Sequence, residues 1–206
     1  MALTATVPVP VRRTQQARSA AMQRRLLDAT IEALVEKGYG GTTTLEVQQR
    51  AGVSRGALLH HYTSRSELML AAVEHLVRER IAVVSALTRT PPPKAKRIDW
   101  AVRVLWETFE GPLFTAALEL WLAARHDDEL LAALVPQERV LGHAIRDLAA
   151  DLFGSAAAAP GFAAALEVLL DAMRGAAARS VLRTEGTDAR LLASWTLLMH
   201  QRLDTR

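Results

Sequence analysis

The chain has 206 residues, half of them hydrophobic, so it can bury one sizeable core or a small module joined to a larger one. It contains no cysteine, which excludes disulfide frameworks and thiolate zinc sites, and its net charge of +3 is too small to indicate a partner by itself. No apolar run approaches the ~20 residues of a membrane span and the first residues lack the basic start of a signal peptide, so a cytoplasmic protein without a membrane partner is expected.

The chain begins with a segment that has no helical pattern. Residues 1–17 contain prolines and small side chains, which predicts a disordered arm. A first helix is predicted over residues 18–37, where three aliphatic side chains recur at helical spacing: Leu27, Ile31 and Leu34. Gly38 should end this helix, and Tyr39 is expected to fold under the following turn into a three-helix core.

Two short helices joined by a tight turn are predicted over residues 42–62. Thr43 and Glu46 have the spacing of a capping box, in which each side chain satisfies a backbone N–H at the start of a helix. Gly52 can adopt the left-handed conformation that ends this helix, and Ser54 offers an N-cap for the next one. Helix, glycine turn and helix in this order form a helix-turn-helix, which is the layout of a DNA-reading module.

The distribution of charge along the chain supports the same interpretation. Residues 1–65 carry nine Lys or Arg and four Asp or Glu, a net charge of +5, whereas the remainder carries 16 basic and 18 acidic residues, a net charge of −2. Attraction to phosphates requires positive charge on the DNA-reading part. Arg12 and Arg13, at the base of the arm, either belong to a mobile terminus or reach DNA phosphates or the minor groove.

The rest of the chain is predicted to be helical. Ser64 and Glu67 repeat the capping-box spacing, so a long helix is expected from Ser66 to about Leu87, and the three prolines in 90–94 end it. The later helices are expected over 98–109, 112–126, 127–153, 162–183 and 188–203. Pro136 either kinks the helix over 127–153 or opens its second part, and an alanine-rich loop is expected over 154–161. No strand-like alternation occurs, so we expect an all-α fold of about nine helices, divided into the arm (1–17), a helix-turn-helix domain (18–65) and a larger domain (66–206).

A family resemblance covers residues 24–68. The stretch RRLLDATIEALVEKGYGGTTTLEVQQRAGVSRGALLHHYTSRSEL resembles the DNA-binding domain of the tetracycline-repressor-like (TetR) family of bacterial transcription regulators, with GYGGTT, AGVSRGAL, HHY and SRSEL in the family's order and spacing. The later segment GPLFTAALELWLAARHDDELLAAL is similar to ligand-domain helices of some members. The resemblance implies an N-terminal three-helix DNA-binding domain and a larger C-terminal helical domain for ligand binding and dimerisation.

The candidate DNA-binding residues lie in and around the two short helices: Thr43, Thr44, Gln48, Ser54, Arg55, Gly56, His60, His61, Tyr62 and Arg65. The resemblance implies that Thr43 caps its helix and contacts a phosphate, and that Ser54, Arg55, Gly56 and His60 face the DNA groove. For His61 and Tyr62 the alternative is packing or capping within the module, and for Gly56 it is close helix packing. Adjacent histidines do not share one helix face, so His60 and His61 are not expected to bind metal.

Three positions depart from the family's pattern. Arg65 stands where a lysine that contacts phosphate is usual, and an arginine can make that contact as well. Gln48 replaces a small alanine, so the packing there is adjusted or the amide reaches DNA. Leu59 replaces a tyrosine whose hydroxyl meets the DNA backbone, and a leucine cannot form that bond. One phosphate contact is therefore expected to be missing.

The larger domain offers candidates for a ligand cavity. The set is aromatic, sulfur-containing or charged, and comprises Trp106, Phe109, Phe114, Trp121, Arg125, His143, Met173 and Arg174, with Trp100 and Asp171 as further members. The alternative is that the aromatic side chains form ordinary core. Small residues are frequent in the last two helices, 162–183 and 188–203, so two copies of this surface can pack as a four-helix dimer interface, as the resemblance also implies.

Together these features predict a homodimeric repressor that a small-molecule effector releases from a near-palindromic operator in double-stranded DNA. Alternatives with the same fold are an activator and a regulator controlled by a protein partner. An all-α enzyme or ligand carrier belongs to another class, and its best candidate cluster, residues 126–129, is a short acidic run that suits a helix start. Neither a metal nor a cofactor is expected.

Overall fold

A computed structural model describes residues 15–87, 90–182 and 186–203. These residues contain nine α-helices and no strand, which confirms the predicted all-α class. Short 3₁₀ turns cover 94–96, 154–158 and 180–182. The α-helices are α1 (Gln15–Gly41), α2 (Thr44–Ala51), α3 (Arg55–His61), α4 (Arg65–Ala86), α5 (Arg97–Glu107), α6 (Pro112–Ala124), α7 (Asp128–Phe153), α8 (Phe162–Ala178) and α9 (Thr187–Leu203).

The first helix begins earlier than predicted and breaks where predicted. Residues 15–17, assigned from the sequence to the arm, already belong to α1, while residues 1–14, with Arg12 and Arg13, lie outside the described residues. Gly38 breaks the helix as predicted, with φ 68° and ψ 177°. This φ favours glycine, and a Cβ there would come within 3.0 Å of Glu119 Oε2 on α6.

The caps of the two short helices follow the sequence. Thr43 Oγ1 accepts the N–H of Glu46 at 3.1 Å, and Ser54 Oγ accepts the N–H of Ala57 at 3.2 Å. Gly52 closes α2 with φ 60°. The donor and the acceptor of each bond lie within one helical turn of each other, so the sequence predicts these bonds well.

The predicted return bonds of both capping boxes are wrong. The Glu46 carboxylate accepts from Arg50 Nη2 at 3.0 Å, and the N–H of Thr43 donates to Gly41 O at 2.9 Å instead. In α4 the Glu67 carboxylate accepts the N–H and the hydroxyl of Thr63, at 2.7 and 2.8 Å. Competing donors nearby therefore decide where each carboxylate bonds.

The N-terminal core extends past residue 65. It is formed by buried side chains of α1, α2 and α3 together with Leu68 and Ala72 of α4. Tyr39, predicted to enter this core, packs instead against a second cluster that joins α1 and α4 to α6. The reason is that Tyr39 follows the Gly38 break, which turns the chain towards α6, where the Tyr39 N–H donates to Glu119 Oε2 at 3.0 Å. The small module is thus built onto the larger domain.

The main core of the larger domain is formed by buried side chains from each of the helices α4 to α9. Asp127 caps α7, as its place in the acidic run indicated, and the helix continues through Pro136 to Phe153. The predicted loop over 154–161 contains a 3₁₀ turn. Arg97 closes the end of α7 by donating to the carbonyls of Asp151 and Leu152, both at 2.8 Å. Among the described residues, no helix combines the length and hydropathy needed to cross a membrane.

Candidate nucleic-acid interface and ligand cavity

One face of α3 is exposed and carries most of the predicted contact residues. Arg55, Gly56 and His60 lie on this face, with Leu59, which is 39% exposed. Leu58 lies on the opposite face and is buried in the N-terminal core. The core therefore holds α3 in place and leaves its polar face available to a major groove.

Gly56 is not required by packing within the chain. No heavy atom lies within 4 Å of a Cβ built at this position. A glycine inside a helix costs about 1 kcal/mol relative to alanine, so its presence needs another cause. The structure therefore gives no packing reason for Gly56 among the described residues, and close approach to DNA stays a prediction.

The other predicted contact residues divide by exposure. Thr43 and Ser54 are exposed at the starts of α2 and α3, while Thr44 and Gln48 are half-buried. His61 is half-buried with its ring 5.3 Å from that of His60. Tyr62, in contrast, is buried in the N-terminal core, and this burial raises the pKa of its hydroxyl. The packing alternative holds for Tyr62.

Arg65 is engaged within the chain. Its Nε donates to Thr42 O at 2.9 Å, its Nη2 donates to Tyr39 O, and its guanidinium lies 4.3 Å from the centre of the Tyr39 ring. The side chain thus fastens the turn between α1 and α2 to the start of α4. A lysine has a single ammonium and cannot reproduce this forked contact, which gives the arginine a structural reason.

Part of the positive charge of the N-terminal region is neutralised internally. Arg50, 18% exposed, lies 2.7 Å from Glu36, 3.0 Å from Glu46 and 3.7 Å from Glu32. The hydrogen bonds that Arg50 donates to Glu36 and Glu46 raise the pKa of Arg50 further above its usual value. The net charge of this region therefore overstates the charge that faces DNA.

Three basic side chains of the DNA-reading module are exposed without an internal ion pair. Arg25, Lys37 and Arg55 are exposed and form no ion pair within the described parts of the chain. Arg55 lies in the first turn of α3, where a recognition helix contacts base edges or phosphates. It is the strongest candidate for a direct DNA contact.

A cavity of about 290 Å³ lies in the larger domain between α4, the turn from α5 to α6, and α7. Its walls are mainly aliphatic, with one buried cation and a polar rim. The lining residues are Arg80, Val83, Val84, Glu107, Thr108, Glu110, Pro112, Leu113, Leu141 and Ile145. Small-molecule sites share this combination of apolar walls and a few fixed polar groups.

Arg80 is the polar group buried beside this cavity. Its side chain is 6% exposed, and its Nη1 donates to Glu138 Oε1 on α7 over a long distance of 3.4 Å. The guanidinium carbon lies 5.8 Å from the centre of the Phe114 ring and 6.0 Å from that of Trp121. Burial lowers the pKa of Arg80 and the charge of Glu138 opposes this, but an arginine remains protonated in proteins.

Arg80 is not among the residues that the sequence predicts for a ligand cavity, because its neighbours in space come from α6 and α7. It stands four residues after Leu76 and four before Val84, so it interrupts the apolar stripe of that helix. A charged residue on a buried stripe is a signal for a functional group, since burying it is costly.

The predicted ligand-binding residues do not form one site. Trp106, Phe109, Phe114 and Met173 are buried in the main core, as the alternative of ordinary core residues proposed. Trp121, His143 and Arg174 meet in an open groove of about 770 Å³ between α6, α7 and α8. Arg125 is exposed at the end of α6, so its predicted inward orientation is not found.

Metal binding has no geometric basis in the residues that the structure describes. No three His, Asp or Glu side chains among them come together as a metal-binding group.

Comparison with known proteins identifies the family. The profile of the bacterial regulatory proteins of the tetR family matches residues 26–72. An uncharacterised HTH-type transcriptional regulator of Mycobacterium bovis is 30% identical over 149 residues, which cover 72% of this chain and 73% of the relative. The chain belongs to the TetR family. It is a DNA-binding transcriptional regulator rather than an enzyme.

Other proteins are similar over shorter stretches or in fold. The HTH-type transcriptional regulator CymR of Pseudomonas putida is 35% identical over 59% of this chain and 60% of its own length. A TetR transcription regulator from Haloarcula marismortui shares 18% identity with a TM-score of 0.64, covering 90% of this chain and 97% of its own. The multidrug binding protein EbrR, crystallised with ethidium, shares 24% identity with a TM-score of 0.58, over 86% of this chain and 97% of its own. The structural likeness shows a common fold.

Proposed function

We propose that this TetR-family regulator is a cytoplasmic homodimeric repressor, released from a near-palindromic operator when a small molecule enters the cavity between α4, α6 and α7. The observation that carries the proposal is that α4 and α6 each line the cavity at one end and hold the DNA-reading module at the other. A ligand that changes the position of either helix therefore changes the position of α3.

The path along α4 is continuous. Leu68 and Ala72 are part of the N-terminal core, and Arg80 and Val84 line the cavity on the same helix. Val84 follows Leu68 by 16 positions, which correspond to about 24 Å at the α-helical rise. A packed helix of this length moves as a unit, so a shift at the cavity is transmitted to the module.

The path along α6 ends in a set of hydrogen bonds. Leu113 lines the cavity, and Leu120 further along packs against Ile31 and Leu34 of α1. Beyond the packing, Tyr39 donates its N–H to Glu119 at 3.0 Å and its hydroxyl to Asp127 at 3.2 Å. We call the contacts of Tyr39 with Glu119 and Asp127 the interdomain latch.

The exposed side of α8 and α9 supports the proposed dimer. Val168 and Leu197 are 57% and 58% exposed there, although both are large and apolar. Gly175, in the last turn of α8, is exposed and has no heavy atom within 4 Å of a Cβ built on it. Close approach by α8 and α9 of a second copy gives both features a role, and the resulting dimer would present two copies of α3 to successive major grooves.

The small-molecule part of the proposal is supported by the cavity and by the family. EbrR, of the same fold, was crystallised with ethidium. Ligand control requires that the effector binds one of two conformations of the regulator more tightly than the other. An activator, or a regulator controlled by a protein, would share the fold and differ in its response to compounds.

The proposal is tested by capturing genomic fragments on the purified protein and footprinting the bound site. A near-palindromic footprint, promoter activity that rises on deletion of the regulator, and release by at least one compound are expected. Promoter activity that falls on deletion would identify an activator. Failure to retain any genomic fragment at low salt would contradict the proposal.

Arg55→Ala is expected to weaken operator binding by about 10- to 100-fold, because a base or charged phosphate contact is lost. The exposed residue Arg103 on α5 provides the control, since Arg103→Ala removes the same charge away from α3. Gel-shift titrations over a salt series should give a log–log slope of about −0.9 for each phosphate neutralised. Equal operator affinity of both variants and the wild type would remove Arg55 from the contact set.

A further inference from the structure

The wall of the cavity includes Arg80, a buried cation that its own partner satisfies poorly. An arginine offers five N–H donors. Among the described residues, Arg80 makes one hydrogen bond, to Glu138 at 3.4 Å, where a charged pair in good geometry is closer to about 2.8 Å. Two ring faces, those of Phe114 and Trp121, cover the guanidinium on other sides.

A buried cation of this kind is costly for the fold. Transfer of a charge from water into an apolar environment is unfavourable unless the charge is closely paired and fully hydrogen-bonded. Leucine or methionine at position 80 would continue the apolar stripe of Leu76 and Val84 without that cost. Internal stability therefore does not explain Arg80, whereas recognition of an anion does.

We propose that the effector is a small organic anion, a monocarboxylate with a compact apolar body, whose carboxylate pairs with Arg80. This inference rests on the proposed function. The aliphatic side chains Val83, Val84, Leu113, Leu141 and Ile145 enclose the apolar body. The carboxylate supplies the closely spaced pair of acceptors that a planar guanidinium binds most strongly.

The size of the cavity restricts the effector further. A dry protein cavity of about 150 Å³ accommodates benzene, and the cavity beside Arg80 has about 290 Å³. A single substituted ring or a short acyl chain fits this volume. Two acidic residues lie at the rim of the cavity: Glu107 is half-buried and Glu110 is exposed. Because like charges repel, the anionic end of the effector is directed inward to Arg80 and away from these carboxylates.

The same pairing provides a switch. Arg80 lies on α4 and Glu138 on α7, so their salt bridge ties these two helices together. A carboxylate that takes over the guanidinium weakens the bond to Glu138 and frees α4 to shift. Since α4 also carries Leu68 and Ala72 of the N-terminal core, this shift reaches the DNA-reading module.

Binding is tested on the full-length protein without DNA, using benzoate and hexanoate as probes. Benzamide and hexanamide are their neutral counterparts, and benzylammonium is the cationic one. Dissociation constants are measured by tryptophan fluorescence, because Trp121 lies 6.0 Å from the Arg80 guanidinium, and by thermal shift. At least one acid should bind about tenfold or more tightly than its amide, since it gains hydrogen bonds between charged groups.

Three variants separate a role in recognition from a role in structure. Arg80→Met should abolish the preference for the acid over the amide, while Arg139→Met, at an exposed position of α7, should leave it unchanged. Glu138→Gln should tighten the binding of the acid, because it removes the internal anion that competes for Arg80. The opposite signs of Arg80→Met and Glu138→Gln cannot come from a general loss of stability.

The proposal is overturned if no acid binds, if acid and amide bind equally, if benzylammonium binds best, or if Arg80→Met keeps the acid preference. If Arg80→Met does not fold, the comparison of acid with amide and the Glu138→Gln variant still decide the outcome. Operator release is measured separately. If an acid binds but the operator is not released, the proposed repressor mechanism is contradicted and the pairing with Arg80 is not. If the operator is released by compounds whose binding does not depend on Arg80, the pairing of a carboxylate with Arg80 is contradicted and the repressor mechanism is not.

Discussion

At the scale of single residues, the informative positions are those whose side chain is not explained by the chain's own packing. Gly56 has open space where a Cβ would lie, Leu59 is apolar and 39% exposed, and Arg80 is charged and buried. Each of these is locally unfavourable or neutral for folding. A residue that costs stability and is poorly compensated inside the chain is a candidate for a contact with something outside it.

Gly56→Ala is expected to move stability and DNA binding in opposite directions. Alanine favours the helix by up to about 1 kcal/mol and meets no neighbour, so the free energy of unfolding should rise. The added methyl lies on the exposed face of α3, so operator affinity should fall. Urea denaturation and gel-shift titration measure the two effects.

Gly142→Ala serves as the control for this change. Gly142 lies on α7, where the nearest atom to a built Cβ is the end of the flexible Arg146 side chain at 3.2 Å. Operator affinity should therefore stay at the wild-type value. An unchanged operator affinity in Gly56→Ala would show that α3 does not approach DNA closely at this position.

At the scale of elements, the connection between α1 and α6 is more specific than an apolar contact. Tyr39 joins the end of α1 to Glu119 on α6 and to the Asp127 cap of α7, and Arg65 holds the same tyrosine from the start of α4. Desolvation by burial is the main cause that raises the pKa of Tyr39. The hydroxyl therefore stays protonated at neutral pH and donates to the carboxylate.

A double-mutant cycle measures the hydrogen bond of the interdomain latch. Tyr39→Phe removes the donor, and Asp127→Asn keeps the Oδ1 atom that caps Leu130 while replacing the acceptor Oδ2. Each single change should lower the free energy of unfolding by about 0.5–1.5 kcal/mol. The double variant should lose less than the sum, with a coupling of similar size. Strictly additive losses in urea denaturation would show that the contact contributes nothing to stability.

At the scale of the whole molecule, the proposed repressor depends on a surface that the single chain leaves open. The small residue Gly175 and the apolar residues Val168 and Leu197 lie exposed on the outer side of α8 and α9. A monomer places one copy of α3 on DNA, and a two-fold dimer places two, at a spacing of about 34–36 Å. Dimerisation and operator affinity are therefore expected to change together.

Gly175→Gln is expected to disrupt the dimer without unfolding the chain. Glutamine is a better helix former than glycine and meets no internal neighbour, so helical circular dichroism should be kept. Analytical ultracentrifugation should show a monomer at concentrations where the wild type is dimeric, and operator affinity should fall with it. Glu167→Gln, on the side of α8 that pairs with Arg146 of α7, should stay dimeric. A dimeric Gly175→Gln variant with full operator affinity would exclude this face as the interface.

The sequence by itself determined the helix class, the helix-turn-helix and its caps. Thr43, Gly52 and Ser54 act on backbone groups within one turn of themselves, so their effect is encoded locally and can be predicted from spacing. The family resemblance over residues 24–68 was specific for the same reason, since the matching residues form one contiguous module.

Only the tertiary structure decided where the charges and the cavity lie. Arg50 meets three glutamates from two helices, Tyr39 meets α6 rather than the N-terminal core, and Arg80 meets Glu138 from α7. Apart from the i,i+4 pair Glu46–Arg50, each of these contacts joins residues on different helices, whose separation along the chain carries no information about their distance. The helix-turn-helix of residues 42–62 could thus be predicted from the sequence. The cavity beside Arg80 could not, because a cavity is formed by elements that meet in space, here α4, α6 and α7.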